Sequence, residues 1–213
     1  MSETQCVIFD CDGTLIDSEK LCCQALSETF HHFGAGLSTQ DALVHFEGGK
    51  LADILAATNE RLGCRISIDQ LEPFYRERLD ELFERHLKPS VGATELLKQL
   101  EAKGIEYCVA SNGPKSKIRR SLELTGLYPH FENKIFSAFD TNSWKPEPDL
   151  ILYTAMSMGF RLENCVYVDD TVKGLEAGIR AGIKTVHYLG VNNRVHEHAL
   201  PKIHDLRELT TLM

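Results

Sequence analysis

Residues 6–15 read Cys6-Val7-Ile8-Phe9-Asp10-Cys11-Asp12-Gly13-Thr14-Leu15, an unbroken apolar run that ends on two acids and a glycine. Continuous rather than alternating apolarity predicts a strand covered on both faces, as in a parallel sheet flanked by helices. Residues two apart on a strand point to the same side, so Asp10 and Asp12 are expected to share one pocket while Cys11 points away. Gly13 then permits a turn that a side chain would obstruct. In open α/β sheets ligands bind beyond the carboxyl ends of the strands, which is where this acid pair falls. Taken alone, Asp-x-Asp-Gly also fits an Asx turn that caps the next helix.

Similar runs recur at residues 107–110, 165–168 and 185–188, with a weaker one at 134–137. Between them, residues 94–103 place Leu96, Leu97 and Leu100 on one helical face and stop at Gly104. Residues 115–125 stop before Gly126, and Val172–Ala181 stops before Gly182. Alternating strands and helices with right-handed crossovers predict an α/β fold with a doubly wound, Rossmann-like parallel sheet. Residues 18–87 break the rhythm: they hold no convincing strand, but residues 51–62 and 71–87 carry apolar side chains at helical spacing. The expected organisation is therefore a core of residues 1–17 and 88–213 with a small helical cap, 18–87, inserted after the first strand. Pro89 and Gly92 mark the return. Inserted helices beside a crossover are material for a lid.

The composition bounds the function. The chain has 213 residues, 43% of them apolar, with 23 Lys and Arg against 31 Asp and Glu, a formal charge of −8. The mean hydropathy is −0.20 and the pI about 5.6, values of a soluble globule. Such a balance argues against binding nucleic acid or an anionic membrane, but not against an anionic substrate at a site that is locally cationic or carries a metal. No apolar run approaches the roughly 18 residues that span a bilayer. Glu3 stands where a signal peptide needs a basic start. The seven cysteines are odd in number and lack a Cys-x-x-Cys pair, so a reduced, cytoplasmic protein is expected. A monomer is expected.

Three further segments sit at strand ends or in loops: Ser111-Asn112-Gly113, Trp144-Lys145-Pro146-Glu147-Pro148 and Val168-Asp169-Asp170-Thr171. Each has an ordinary reading: a turn, a solvated lysine, a helix cap. If the first and third strand ends are adjacent, however, Asp10, Asp12, Asp169 and Asp170 converge. Two unit charges about 4 Å apart repel by about 4 kcal/mol at an effective dielectric near 20, so the cluster calls for protons or a cation. Hard oxygen ligands favour Mg²⁺ over zinc. Ser111, Asn112 and Lys145 add the neutral and cationic oxygen clamps that phosphoryl transfer uses.

In order, and across nearly the whole chain, these segments resemble the four motifs of the haloacid dehalogenase superfamily, mostly phosphatases with a Rossmann-like core: DCDGTLID from Asp10, SNG from Ser111, WKPEPD around Lys145 and VDDT around Asp170. The resemblance implies that Asp10 attacks phosphorus to form an aspartyl-phosphate and that Asp12 protonates the leaving alcohol, then deprotonates the hydrolytic water. It implies Mg²⁺ held by the Asp10 carboxylate, the Asp12 backbone carbonyl and Asp170, with Asp169 bound or just behind. Ser111 and Lys145, with Asn112 as a weaker candidate, would bind the phosphoryl oxygens. Asp12 argues against the dehalogenases and phosphonate hydrolases of the superfamily, which lack an acid there. A sugar-phosphate mutase keeps both aspartates and stays open, as does a phospho-accepting signalling receiver domain from another class.

In the insertion, Glu47-Gly48-Gly49-Lys50 permits two readings. Lys50 and the Gly48 backbone reach the site, where the lysine pairs with an anionic group on the leaving portion of the substrate, or the segment is a tight turn with a solvated lysine. The first suggests a small phosphorylated sugar or sugar acid as substrate. Tyr75, Arg76 and Arg78 are read as cap residues with one facing the substrate, Trp144 as packing, and His196-Glu197-His198 as a polar loop without enough ligands for a metal.

Overall fold

The computed structural model describes residues 3–190 and 199–213, so the His196-Glu197-His198 segment lies outside the described residues. Six strands form one sheet: β1 Cys6–Phe9, β2 Glu106–Ser111, β3 Ile135–Ser137, β4 Cys165–Asp169, β5 Lys184–Tyr188 and β6 Lys202–Ile203. Their order is β3-β2-β1-β4-β5-β6, with every neighbouring pair parallel. This is the doubly wound arrangement the sequence predicts, with β1 and β4 adjacent where the strand order reverses. The two-residue β6 is an addition, since so short a piece carries no readable apolar run.

Alternate side chains serve opposite faces, as the pleat requires. Val7, Phe9, Val109, Val166 and Val168 join one apolar cluster, while Cys6, Ile8, Cys108, Cys165 and Tyr167 join the other. Burial on both sides is what the unbroken apolar runs anticipated. Four helices, α1 Glu19–His32, α2 Thr39–His45, α3 Leu51–Arg61 and α4 Ile68–His86, lie within residues 18–87. Leu26, Phe30, Leu55, Leu71 and Phe83 from these helices share the first cluster with the sheet. The segments entering and leaving this stretch run side by side: Asp17 N donates to Lys88 O at 2.9 Å and Ser90 N to Leu15 O at 2.9 Å.

The remaining helices are α5 Ala93–Ala102, α6 Lys115–Leu124, α7 Tyr128–Phe131, α8 Ala138–Thr141, α9 Asp149–Ser157 and α10 Val172–Ala181. No helix among the described residues is long and apolar enough to cross a membrane. Helix α10 begins on Thr171, whose hydroxyl accepts from Gly174 N at 3.0 Å. It lies so close to the sheet that a Cβ at Gly178 would stand 2.4 Å from Thr185 Oγ1 and 2.8 Å from Tyr167 Cδ1. Gly178→Ala is therefore expected to destabilise the fold by about 1–3 kcal/mol, the usual cost of overpacking. Gly36, where an added Cβ meets nothing within 4 Å, supplies the control. Urea denaturation should show Gly36→Ala unchanged or slightly stabilised beside a clear loss for Gly178→Ala; equal midpoints for the two would contradict the packing account.

Candidate active site

The site follows from the strand order. Asp10 comes immediately after β1, its N–H donating to Val168 O of β4 at 2.9 Å, and Asp169 and Asp170 stand where β4 ends. Lys145 enters from the loop before α9 and is only 4% exposed. Its Nζ lies 2.6 Å from Asp10 Oδ1 and 2.9 Å from Asp169 Oδ2. Burial works against the charge of this lysine, but the two carboxylates outweigh it and push its pKa up. Asp169 is saturated: Oδ1 accepts from Thr171 N and Oγ1, both at 2.8 Å, and Oδ2 accepts from the Tyr167 hydroxyl as well as from Lys145. Asp170 accepts from Thr14 Oγ1 at 2.7 Å.

Asp10, Asp169 and Asp170 each offer an oxygen within 4.8 Å of the others. Burial, opposed by Lys145 but reinforced by Asp169 and Asp12, raises the Asp10 carboxyl to about 7. Burial, with Asp169 and Asp10 adding to it, pushes Asp170 well above the usual carboxylate range. One lysine does not neutralise three clustered acids, two of them buried, and an all-oxygen donor set of this kind fits a hard divalent cation. Two glycines make the crowding possible. A Cβ at Gly13, whose φ is +83°, would fall 2.2 Å from Asp170 Oδ2; one at Gly174 would fall 2.0 Å from the Asp169 carboxylate.

Above the acids opens a cavity of about 620 Å³, lined by Asp10, Asp12, Ser111, Asn112 and Lys145 from the core and by Gly48, Lys50, Tyr75 and Arg76 from the inserted helices. The structure thus gathers around one space every site residue expected there, with Asp169 and Asp170 beside Asp10. Some are engaged differently from expectation. Asn112 Oδ1 accepts from Lys145 N at 2.9 Å and Nδ2 reaches Lys145 O at 3.5 Å, so its amide braces the lysine loop. Gly48 and Gly49 form a turn with φ of +71° and +105°, and Lys50 is exposed, with its Nζ 4.5 Å from the centroid of the Trp144 ring. Trp144 packs against the second apolar cluster, as expected, and also lines the cavity. Arg78 turns away to pair with Glu28 and Glu81, and Arg76 pairs with Glu72 at 2.6 Å.

Sequence reasoning missed three participants. Lys117 Nζ lies 2.5 Å from Asp12 Oδ2, and although burial opposes its charge, Asp12 drives its pKa up. Its signal was legible: a lysine in the first turn of α6 faces the positive end of the helix dipole and needs a compensating anion. Tyr167, two residues before Asp169 on a strand, shares its side by simple alternation. Thr14 carried no signal apart from its place beside the acids.

Comparison with known proteins places this geometry. The family description haloacid dehalogenase-like hydrolase matches residues 7–188. The 6-phosphogluconate phosphatase of Escherichia coli (strain K12) is 36% identical over 188 residues, covering 88% of this chain and 84% of that protein. A phosphorylated carbohydrates phosphatase of Thermotoga maritima is 26% identical over 86% of this chain and 84% of its own. The crystal structure of a conserved haloacid dehalogenase-like protein from Agrobacterium tumefaciens superposes with a TM-score of 0.83 at 26% identity, covering 98% of this chain and 97% of that one. With the acid cluster, the bridging lysine and the strand order already in hand, these likenesses make the chain a member of the haloacid dehalogenase-like hydrolase family and an enzyme of its phosphatase type.

Proposed function

We propose that this enzyme is a Mg²⁺-dependent phosphatase of a small phosphorylated sugar or sugar acid, with 6-phosphogluconate as the first substrate to test. The observation that carries the reading is Lys145 bridging Asp10 and Asp169 in a cavity that Lys50 of the inserted segment also lines. The names of two relatives, a 6-phosphogluconate phosphatase and a phosphorylated carbohydrates phosphatase, support the substrate class. We treat residues 18–87 as a cap on a core of 1–17 and 88–213, a division supported by the paired segments at Leu15, Asp17, Lys88 and Ser90. The reading of a cytoplasmic monomer rests on composition, including seven thiols of which six are buried as small core residues.

In this reading an Asp10 oxygen attacks phosphorus, the bond from phosphorus to the leaving oxygen breaks, and Asp12 gives its proton to that oxygen. Asp12 then takes a proton from a water that attacks the aspartyl-phosphate, and the Asp10–phosphorus bond breaks to release inorganic phosphate. Ser111 and Lys145 bind the transferring oxygens, Asn112 holds the Lys145 backbone, and Lys117 fixes the Asp12 carboxylate. Asp10, the Asp12 carbonyl and Asp170 would hold the cation. The saturation of Asp169 supports a place for it behind them, orienting Lys145. A bound divalent cation supplies positive charge to the acid cluster and to the phosphoryl oxygens.

A receiver domain of the flavodoxin-like type would carry the order 2-1-3-4-5, which the observed order β3-β2-β1-β4-β5-β6 is not. For the hydrolase, Asp10→Asn should cut phosphate release from a sugar-phosphate panel by about 10³-fold or more while leaving the circular dichroism intact. Substantial residual activity would remove Asp10 as nucleophile, and isomer interconversion without phosphate release would favour a mutase. Mg²⁺ at about a hundred times its Kd should stabilise the protein by about 2.7 kcal/mol, a rise in Tm of about 5–10 °C. That rise should vanish in Asp170→Asn and persist in a distant surface variant. Lys50→Ala should raise KM for 6-phosphogluconate about tenfold more than KM for p-nitrophenyl phosphate, by the usual worth of a charge-assisted contact; equal effects would place Lys50 outside the substrate site.

A further inference from the structure

We propose that Trp144 is a positioning residue for Lys50, and that the pair selects phosphate esters whose alcohol portion carries a second anionic group. The inference rests on the reading of Lys50 as a substrate contact and adds the group that aims it.

Three consecutive residues of the inserted segment press on the core. A Cβ at Gly48 would come 2.8 Å from Thr171 Cγ2, and one at Gly49 would come 3.0 Å from Lys173 Cδ. Both positions also have positive φ, so the loop seats this closely only with glycine. Its seating fixes where the Lys50 side chain begins. The ammonium then lies over the Trp144 ring, 4.5 Å from its centroid, and no carboxylate pairs with Lys50 among the described residues. The ring in turn is held edge-on by Phe139 at 5.4 Å and 78°.

The chemistry of this partner matters. A carboxylate would orient Lys50 by neutralising it; an aromatic face orients it through the ring quadrupole and leaves the full charge for another anion. Trp144 and Lys50 line the same cavity as Asp10, and Trp144 directly precedes Lys145, the cation at the phosphoryl end. Of the lysines lining the cavity, Lys145 and Lys117 are held by carboxylates, while Lys50 is mounted on an aromatic ring. A carboxylate or a second phosphate on the substrate would meet Lys50.

The test compares kcat/KM for 6-phosphogluconate, fructose 1,6-bisphosphate and glucose 6-phosphate, whose far ends bear a carboxylate, a phosphate and no charge. Trp144→Leu should lower the preference for an anionic substrate over glucose 6-phosphate roughly three- to thirtyfold, mainly through KM. Trp144→Phe should retain most of the preference, and Lys50→Met/Trp144→Leu should be no worse than Lys50→Met alone. Whichever anionic substrate loses more identifies the group recognised. A preference that survives Trp144→Leu, or losses that multiply in the double variant, would overturn the role of Trp144. A wild-type enzyme with no preference for either anionic substrate would refute the substrate reading itself. Trp144 is the only tryptophan in the sequence. Its fluorescence in the unliganded protein should therefore change in Lys50→Met, and an unaltered spectrum would overturn the contact independently of turnover.

Discussion

A single buried ammonium between two carboxylates organises this molecule. Lys145 is almost wholly withdrawn from water, and removing one partner of such a buried pair typically costs about 3–5 kcal/mol. Holding it demands that three remote parts of the chain agree in position: the end of β1, the end of β4 and the loop before α9. The adjacency of β1 and β4 brings the acids together, Asn112 at the end of β2 grips the lysine backbone, and Thr171 both caps α10 and donates to Asp169. Thr171 is the helix cap of the ordinary reading, and the same hydroxyl also donates to Asp169.

The acids also explain how a chain of charge −8 can handle an anionic substrate. Asp10 and Asp169 are offset by Lys145, where a divalent cation would add further positive charge, while Lys117 compensates Asp12. The exterior retains its acids in surface pairs such as Arg161 with Glu163 and Arg180 with Glu147, which contribute little to stability. A net excess of acids over the whole chain and mixed charge in the cavity are compatible because the field of each is local on the scale of a Debye length.

The sheet was legible because burial on both faces leaves a mark in the sequence: runs such as Val7-Ile8-Phe9 admit few other structures. The acids and Lys145 were legible because each sits where a run stops or prolines stiffen a loop. What sequence could not convey was direction. Whether Asn112 points at substrate or at the Lys145 backbone, whether Asp169 or Asp170 keeps an oxygen available, and whether Trp144 packs inward or lies under Lys50 all depend on rotamers set by distant neighbours. Strand β6 and helix α1 were missed for simpler reasons: one is two residues long, and the other mixes polar residues into its buried face, with Glu19, Ser27 and Thr29 all buried.

The two segments joined at Leu15, Asp17, Lys88 and Ser90 have an evolutionary consequence. Because the chain departs from and rejoins the core at neighbouring points, everything between them behaves topologically as an enlarged hairpin. Its contents can change in length without reordering a strand. In the proposed reading, recognition and reaction thus fall on separable stretches of the chain, so that substrate choice could change while the phosphate chemistry stays fixed.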